Sequence, residues 1–400
     1  MQNTNIVIIG GGLAGSIAAA MLGNAGIDTV LVDPHPIYPP DFRCEKLDGP
    51  QVNILKKTGL ADSILQSTTP DHESWVARFG RVTDKRPGDQ QGILYSSLVN
   101  TIRSLIPNNV TKVFAKAVAV TTGDELQTIT LSNGENISAR LIILANGLNI
   151  SLGNRLGLTR DILSECHSIS VGFDVRTTDR RPFQFSSLTY YADNIADQAA
   201  YLTLFPIGTT MRANLFVYRE QNDPWLREFR TMPYDMLLKL MPGLRRLMGN
   251  FEVEGSVKIR PIDLYATRGH RQAGFVLVGD AFATSCPAAG TGARKALTDV
   301  ERLCNYYIPR WLESPGMGKD KIEAFYDDPI KAACDDFSLA KAHSLRSFST
   351  SAALSWRARR WAKFSLQLGL GALRRFVRES LSLVQNRGAL VATPNADSKT

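Results

Sequence analysis

Apolar positions fall into three textures along the chain. The opening strings together a β-branched run from Asn5 to Ile9, an alanine-rich stretch of helical period from Leu13 to Asn24, and a second apolar run from Asp28 to Val32. This predicts a βαβ unit. Runs from Val113 to Val120 and from Leu126 to Leu131, parted by the turn Thr122-Gly123-Asp124, predict two further strands, and Leu141 to Ala145 reads as a buried one. From Ser168 to Lys258 polar and apolar residues alternate, as in Ser168-Ile169-Ser170-Val171-Gly172-Phe173, so an antiparallel sheet that covers something is expected. One helical insertion, Trp225 to Met241, interrupts it. Phe275 to Val278 restores the strand, glycine-rich turn and helix texture of the opening, and the chain beyond about Lys319 reads as mostly helical. The textures divide the chain at 1–165, 166–261, 262–318 and 319–390: an α/β part interrupted by a β-sheet domain, then a helical region. No internal repeat is evident, and only the last dozen residues read as disordered.

Composition narrows the class. Four hundred residues, 44% hydrophobic and 21% charged, suffice for one large core or two joined ones, which excludes disordered and fibrous classes. No apolar stretch has the length of a signal peptide or a membrane span, so a cytoplasmic protein is expected. Cys44, Cys166, Cys286, Cys304 and Cys334 form no CxxC pair, and His35, His72, His167, His270 and His343 show no HxH or HxxxH spacing. Neither a disulfide frame nor a metal site is expected from them.

Gly10-Gly11-Gly12-Leu13-Ala14-Gly15 satisfies GxGxxG directly after a strand and at the mouth of a helix. Gly10 permits the tight turn, Gly12 admits a pyrophosphate against the backbone, and Gly15 lets helix and strand pack closely. The helix N-terminus offers free N–H groups to the phosphates, and Asp33, ending the second strand, is placed to bind an adenosine ribose. An ADP-bearing cofactor follows, and NAD and FAD both remain open at this point.

The choice comes from Val276-Leu277-Val278-Gly279-Asp280-Ala281 and the later Cys286-Pro287-Ala288-Ala289-Gly290-Thr291-Gly292-Ala293. FAD is long, and its flavin end needs a second anchor that NAD does not. An acid at a strand end can take the ribityl hydroxyls. The Pro-x-x-Gly-x-Gly turn opens a helix whose N–H groups stabilise negative charge on the reduced flavin.

These motifs, with Arg43 in Phe42-Arg43-Cys44-Glu45 after the second strand, resemble the FAD-dependent monooxygenases of the single-component aromatic hydroxylase type, the p-hydroxybenzoate hydroxylase-like family. The resemblance covers roughly the first three hundred residues. It implies an α/β fold with a Rossmann-like FAD-binding domain of the GR2 type, an inserted antiparallel β-sheet substrate domain and a C-terminal helical segment. Arg43 would reach the flavin or its ribityl chain, and Gly279, Asp280, Pro287, Gly290 and Gly292 would line the isoalloxazine. Leu13, Ala14, Val118, Ala289 and Thr291 join the cofactor-binding set. In chemistry, the resemblance implies that NADPH or NADH reduces FAD by hydride transfer and that the reduced flavin takes up molecular oxygen as a C4a-hydroperoxide. The distal oxygen then passes to an electron-rich, aromatic organic substrate. The protein would exclude water and position the ring, and no catalytic acid or base is obligatory.

Two departures bear on the reductant. The family carries Asp-Gly where this chain has Asn146-Gly147, and an arginine opening the helix where this chain has Tyr95-Ser96-Ser97-Leu98. In the strand Tyr201-Leu202-Thr203-Leu204-Phe205-Pro206, period-2 alternation puts Tyr201, Thr203 and Phe205 on one face as candidate pocket wall. The same strand resembles the YxWxFP pattern of geranylgeranyl-reductase-like flavoproteins with Thr203 in place of tryptophan, so FAD-dependent reduction of a carbon–carbon double bond is the alternative. Flavin halogenases share the fold, yet their WxWxIP motif is absent, and a non-enzymatic flavoprotein is the third rival. Cys286, just before the flavin-facing turn, reads as a small buried spacer, with a reactive thiol or covalent flavin tether as the other readings.

Charge enters last. The net charge is +8, and from Lys341 to Arg387 ten Lys or Arg stand against one acid, Glu379, leaving the rest close to neutral. From Leu354 to Val377 the pattern is that of an amphipathic helix, with Leu354, Ala358, Trp361, Phe364, Leu368, Ala372 and Phe376 near one face and Gly369 and Gly371 weakening it. Packing of this helix on the flavin domain is one reading. Peripheral docking on anionic lipid is the other, and no nucleic-acid motif accompanies the charge.

Overall fold

Apolar runs flanked by glycine turns become parallel strands here because they are buried on both faces. The computed structural model describes residues 2–391, with side chains from 3 to 374. Its first half comprises β1 (Gln2–Ile9), α1 (Leu13–Asn24), β2 (Thr29–Val32), β3 (Glu73–Arg78), β4 (Arg81–Pro87), α2 (Tyr95–Ser104), β5 (Val110–Val113), β6 (Ala117–Thr121), β7 (Gln127–Leu131) and β8 (Asn136–Leu144). After these come β9 (Thr159–Thr177), β10 (Ser187–Tyr191), β11 (Ala199–Ile207), β12 (Thr210–Val217), β13 (Phe251–Arg268), β14 (Phe275–Leu277), α3 (Gly292–Arg302), α4 (Pro329–Thr350) and α5 (Leu354–Val391). Short helices and three two-residue strands fill the connections.

The first sheet has the order β5-β2-β1-β8-β7-β6, with β14 also paired to β8. β1 runs parallel to β2 and β8, with Ile9 opposite Val32 and Leu144, while Leu277 of β14 stands opposite Leu144. The carboxyl ends of four parallel strands therefore share one edge, where an open α/β sheet holds its ligand. Glycine or polar turns leave from each of them: Gly10, Asp33, Asn146 and Gly279. The run Val113 to Val120, expected as one strand, is two. β5 pairs with β2 at one edge of the sheet and β6 with β7 at the other, so residues 114–116 must cross between edges.

The second sheet has the order β13-β9-β12-β11-β10-β3-β4. It is antiparallel as expected except for one parallel pair, β10 with β3, because β3 and β4 arrive from residues 73–87, far upstream. The boundaries drawn at 165/166 and 261/262 fall inside β9 and β13, which pair from Thr159–Arg268 to Thr177–Phe251 and carry the chain in and out of this layer. Ile169, Val171, Phe173, Leu202, Leu204 and Leu215 bury one face against Leu226, Phe229 and Leu237. The insertion that supplies those last three is two helices, Pro224–Thr231 and Pro233–Leu240, because Pro233 cannot continue the first. By the same alternation Ser168, Ser170, Gly172, Thr203 and Asn214 occupy the opposite face.

Among the described residues, the last helix, α5, packs chiefly on β4 of the second sheet. Gly371 is the reason it lies so close, since a Cβ there would stand 2.0 Å from the Thr83 carbonyl oxygen. Its inward stripe is Arg360, Phe364, Leu368 and Gly371, whereas Leu354 is 79% exposed and Trp361 56%. Phe79 draws the stripe inward, its ring 5.5 Å from that of Phe364. The side chains of Arg375, Phe376, Val377, Arg378, Glu379 and Arg387 lie outside the described residues, as does the segment from 392 within the expected disordered tail. No helix among the described residues is long and apolar enough to cross a membrane.

A buried ion network ties the helices to the first sheet. Lys331 at the start of α4 places its ammonium 2.8 Å from Asp299 of α3 and 3.0 Å from Asp335, and Asp299 and Lys331 are each 1% exposed. The other Asp299 oxygen accepts the Gly279 N–H at 2.8 Å. Removing one partner of such a pair strands the other charge in an apolar interior. Lys331→Met is expected to lose roughly 3–5 kcal/mol of stability in urea unfolding. Lys331→Met with Asp299→Asn should recover part of it, because the amide oxygen still accepts from Gly279 without a charge. Equal losses in the two variants would remove the ion pair as the cause.

Candidate functional site

One cavity of about 650 Å³ runs along the carboxyl edge of the first sheet and ends against the polar face of the second. Gly10, Gly12, Leu13, Ala14 and Asp33 line one end, Arg43, Gly279 and Asp280 the middle, and Pro287, Gly290 and Gly292 the far turn. Sequence positions almost three hundred apart thus share one wall.

The first turn is built by backbone constraint. Gly10 has a φ of +103°, and a Cβ there would stand 2.6 Å from the Ala145 carbonyl oxygen. Gly15 lies off the cavity and closes α1 onto the turn, where a Cβ would meet the Gly10 oxygen at 1.9 Å. Asp33 accepts the Gly11 N–H at 2.7 Å and the His35 N–H at 2.9 Å. Arg103, in the last turn of α2, donates to the Gly11 carbonyl at 2.6 Å and sits 3.1 Å from the Asp33 carboxylate. No motif announces Arg103, because nothing local distinguishes it from any helical arginine. Tyr95 takes the place where the family has an arginine, and its hydroxyl accepts the Leu13 N–H at 3.4 Å within the cavity wall.

In the middle, charges from three segments form one chain. Arg43 donates to Asp280 at 2.8 Å and to Asp41 at 2.6 Å, and Asp41 in turn accepts from Arg260 of β13 at 2.7 Å. Burial alone would weaken the Arg43 charge, but Tyr95, Asp280 and Asp41 more than offset it and raise its pKa. At the far turn Gly290 is left-handed at φ +66°, and its carbonyl accepts from the Gln51 amide at 2.9 Å. Gln51 is itself fixed by a capping box with Asp48, a spacing legible in Asp48-Gly49-Pro50-Gln51.

Several expected residues stand elsewhere. Val118 is 37% exposed and points away, since the alternation of β6 turns it outward while Ala115, Lys116 and Ala117 line the cavity. Ala289 and Thr291 sit behind the turn, with the Thr291 hydroxyl 2.6 Å from that of Ser338. Tyr201, Thr203 and Phe205 do share the cavity-side face, but the wall is made one strand over by Asn214 and Phe216 of β12. Tyr201 instead donates to the Ala288 carbonyl, and Phe205 is fully buried beneath Lys46. Cys286 is also fully buried, 3.3 Å from the Ser168 hydroxyl, and burial pushes its thiol pKa up. Asn146 and Gly147 do line the cavity.

Sequence reasoning missed Glu45 and Lys46. Glu45 is 3% exposed and paired through both oxygens with Arg212, at 2.7 and 2.9 Å. Burial raises its pKa, opposed by Arg212 and by a hydrogen bond from Asn214. Lys46 donates to Gln90 at 2.7 Å, and burial pulls its pKa down to about 8, against Asp71 and Asp48.

Residues 3–306 match the FAD binding domain family. The chain is 25% identical over 362 residues to 3-demethoxyubiquinol 3-hydroxylase of Escherichia coli, spanning 82% of this chain and 87% of that one. It is also 25% identical over 316 residues to digeranylgeranylglycerophospholipid reductase of Thermoplasma acidophilum, spanning 74% and 76%. In fold it is similar to p-nitrophenol 4-monooxygenase PnpA of Pseudomonas putida DLL-E4, with a TM-score of 0.75, 18% identity and coverage of 96% and 98%.

Asp280→Ala is expected to weaken FAD binding by on the order of ten- to a hundredfold, the value of a hydrogen bond to a charged group, in a flavin fluorescence titration. Unchanged affinity would rule out Asp280 as an anchor. Lys46 makes a pH prediction. Between about 8 and the ordinary lysine value the unfolded chain holds a proton that the folded one has lost, so stability rises with pH across that window. Thermal unfolding of Lys46→Met should show a smaller rise than the parent, and an identical slope would contradict the lowered pKa.

Proposed function

This chain belongs to the FAD binding domain family and is an FAD-dependent oxidoreductase of the monooxygenase kind, and from that premise we propose that it hydroxylates an aromatic organic substrate with NADPH or NADH as electron donor. The observation that carries the reading is the single cavity that joins both nucleotide-type turns to the polar face of the second sheet. A cofactor held along the first sheet would then have its reactive end beside the polar face of the second sheet.

The residues fit FAD. N–H groups at the start of α1 would hold the pyrophosphate, Asp33 the adenosine ribose and Asp280 the ribityl hydroxyls. The N-terminus of α3 begins at the cavity-lining Gly292 and would hold the pyrimidine edge, where a helix end favours the extra negative charge of the reduced ring. FAD, when bound, supplies the two-electron and oxygen chemistry. The chain's own contribution is orientation and the exclusion of water, with Phe42, Phe216 and Ile262 giving the cavity apolar walls. The carboxylate and histidine pair that lines the cavity, Asp33 with His35 at 3.5 Å, sits at the first turn and not at the far one, in keeping with a reaction that needs no obligatory protein base.

The likeness to the archaeal reductase supports a second reading, reduction of a carbon–carbon double bond. One assay separates the two. Purified holoenzyme is reduced anaerobically with NADPH, NADH or dithionite, then mixed with ¹⁸O-labelled oxygen and a panel of phenols. Label in a hydroxylated product is the expected result. Consumption of reductant without label across the panel, with saturation of a prenyl lipid instead, would overturn the proposal in favour of the reductase.

A further inference from the structure

The last helix, α5, carries two stripes along its length, and only one of them is covered. Residues spaced alternately by four and three return to one side of an α-helix. Arg360, Phe364 and Gly371 form the stripe that faces the second sheet. Leu366, Leu370 and Leu373 form another, turned about a third of the helix circumference away. These leucines are 63%, 42% and 58% exposed. Continued toward the N-terminus, the same line passes through Lys363 and Arg359, both exposed. The open apolar surface is therefore not the Leu354, Trp361, Phe364 and Leu368 face that the sequence pattern singles out, because Phe364 and Leu368 are spent on packing.

The helix cannot bury the second stripe by rolling. Arg360 donates to the Phe348 and Ser351 carbonyls at 3.0 and 2.9 Å, Phe364 lies on Phe79, and Arg374 reaches the buried Asp84 carboxylate at 2.6 Å. Gly371 is seated against the Thr83 carbonyl, where no larger residue could take its place. The leucines are thus held outward, and apolar side chains clustered on an exposed helix face mark a surface that meets something.

Charge decides what that is. Between Lys341 and Arg387 ten Lys or Arg stand against one acid. Arg374 is committed to Asp84, but Arg357, Arg359 and Lys363 have no carboxylate partner among the described residues. A second copy of the chain seated on the leucines would bring two such segments together, and like charges side by side oppose the contact. An anionic bilayer reverses the sign of that term. Its phosphodiester oxygens meet the guanidinium and ammonium groups while the leucines enter the boundary between headgroups and acyl chains.

We infer that the Leu366, Leu370 and Leu373 stripe of α5, with Arg359 and Lys363 continuing it, is a docking surface for an anionic phospholipid bilayer. The helix lies in the plane of the interface, fixed to the protein by its other stripe. The inference does not depend on the proposed reaction.

Flotation of the flavin-loaded full chain with vesicles of phosphatidylcholine alone, and of equal parts phosphatidylcholine and phosphatidylglycerol, tests it. The parent is expected to bind the anionic vesicles on the order of tenfold or more tightly than the neutral ones, with most of the preference lost at high salt. Replacing the three leucines together, Leu366→Ser with Leu370→Ser and Leu373→Ser, should weaken binding on the order of tenfold or more and leave flavin content unchanged. Arg359→Glu with Lys363→Glu should abolish the preference for anionic lipid. Leu354→Ser, exposed but off the stripe, should bind as the parent does. No binding, binding indifferent to lipid charge, parental binding by the serine variant, or an equal loss in Leu354→Ser would overturn the inference. Sedimentation of the lipid-free protein decides the remaining case: a parent dimer that the serine variant converts to monomer would assign the stripe to a second copy instead.

Discussion

A single buried carboxylate, Asp299, holds the far half of the site in place. One of its oxygens takes the Gly279 N–H and the other takes the Lys331 ammonium, with every partner out of reach of water. Such a group is tolerable only if all its obligations are met at once, so the strand end after β14, the helix α3 and the helix α4 cannot move independently. The turn that carries Asp280 and the helix end that begins at Gly292 inherit their positions from that constraint. The C-terminal helices are thereby a buttress. Ser338 of α4 holds Thr291 behind the turn, and Ala342 of the same helix receives the ring of His167 from the second sheet.

The second sheet does two jobs on its two faces. Its apolar face is sealed by Leu226, Phe229 and Leu237 of the inserted helices, which gives the layer its own core. That frees the other face to be polar, since it need not contribute to burial. Gly172 and Asn214 sit on that side, and the Glu45–Arg212 pair crosses from the first layer to it. The chain Asp280, Arg43, Asp41, Arg260 makes a second bridge. Charged contacts of this kind set register between layers more than they add stability, because much of their attraction is spent in desolvation.

What was legible in the sequence was legible for a local reason. The turn at Gly10 and the left-handed Gly290 need glycine whatever surrounds them, and each is flanked by the strand and helix that give it meaning. Asp33 and Asp280 were found because they end strands at positions fixed by those turns. Helix α1 was read to its last residue because its alanines leave no competing pattern. The segments 73–87 were missed as strands of the second sheet, since their partner, β10, lies more than a hundred residues downstream and pairs in parallel. Tyr201, Thr203 and Phe205 show the limit of periodicity. Alternation identified the right face, but the distance of each strand from the cavity is not a property of that strand.

The sequence by itself determined most of the secondary elements, the two nucleotide-type turns and the order of the layers along the chain, because backbone conformation and period answer to neighbours a few residues away. Tertiary structure alone decided which polar groups meet. Arg103 reaching Asp33, Gln51 on Gly290, Lys331 under Gly279, and Asn214 left with a free oxygen all join residues far apart in sequence. A hydrogen bond depends on separations of a few tenths of an ångström, set by how whole layers pack, and no local pattern encodes that.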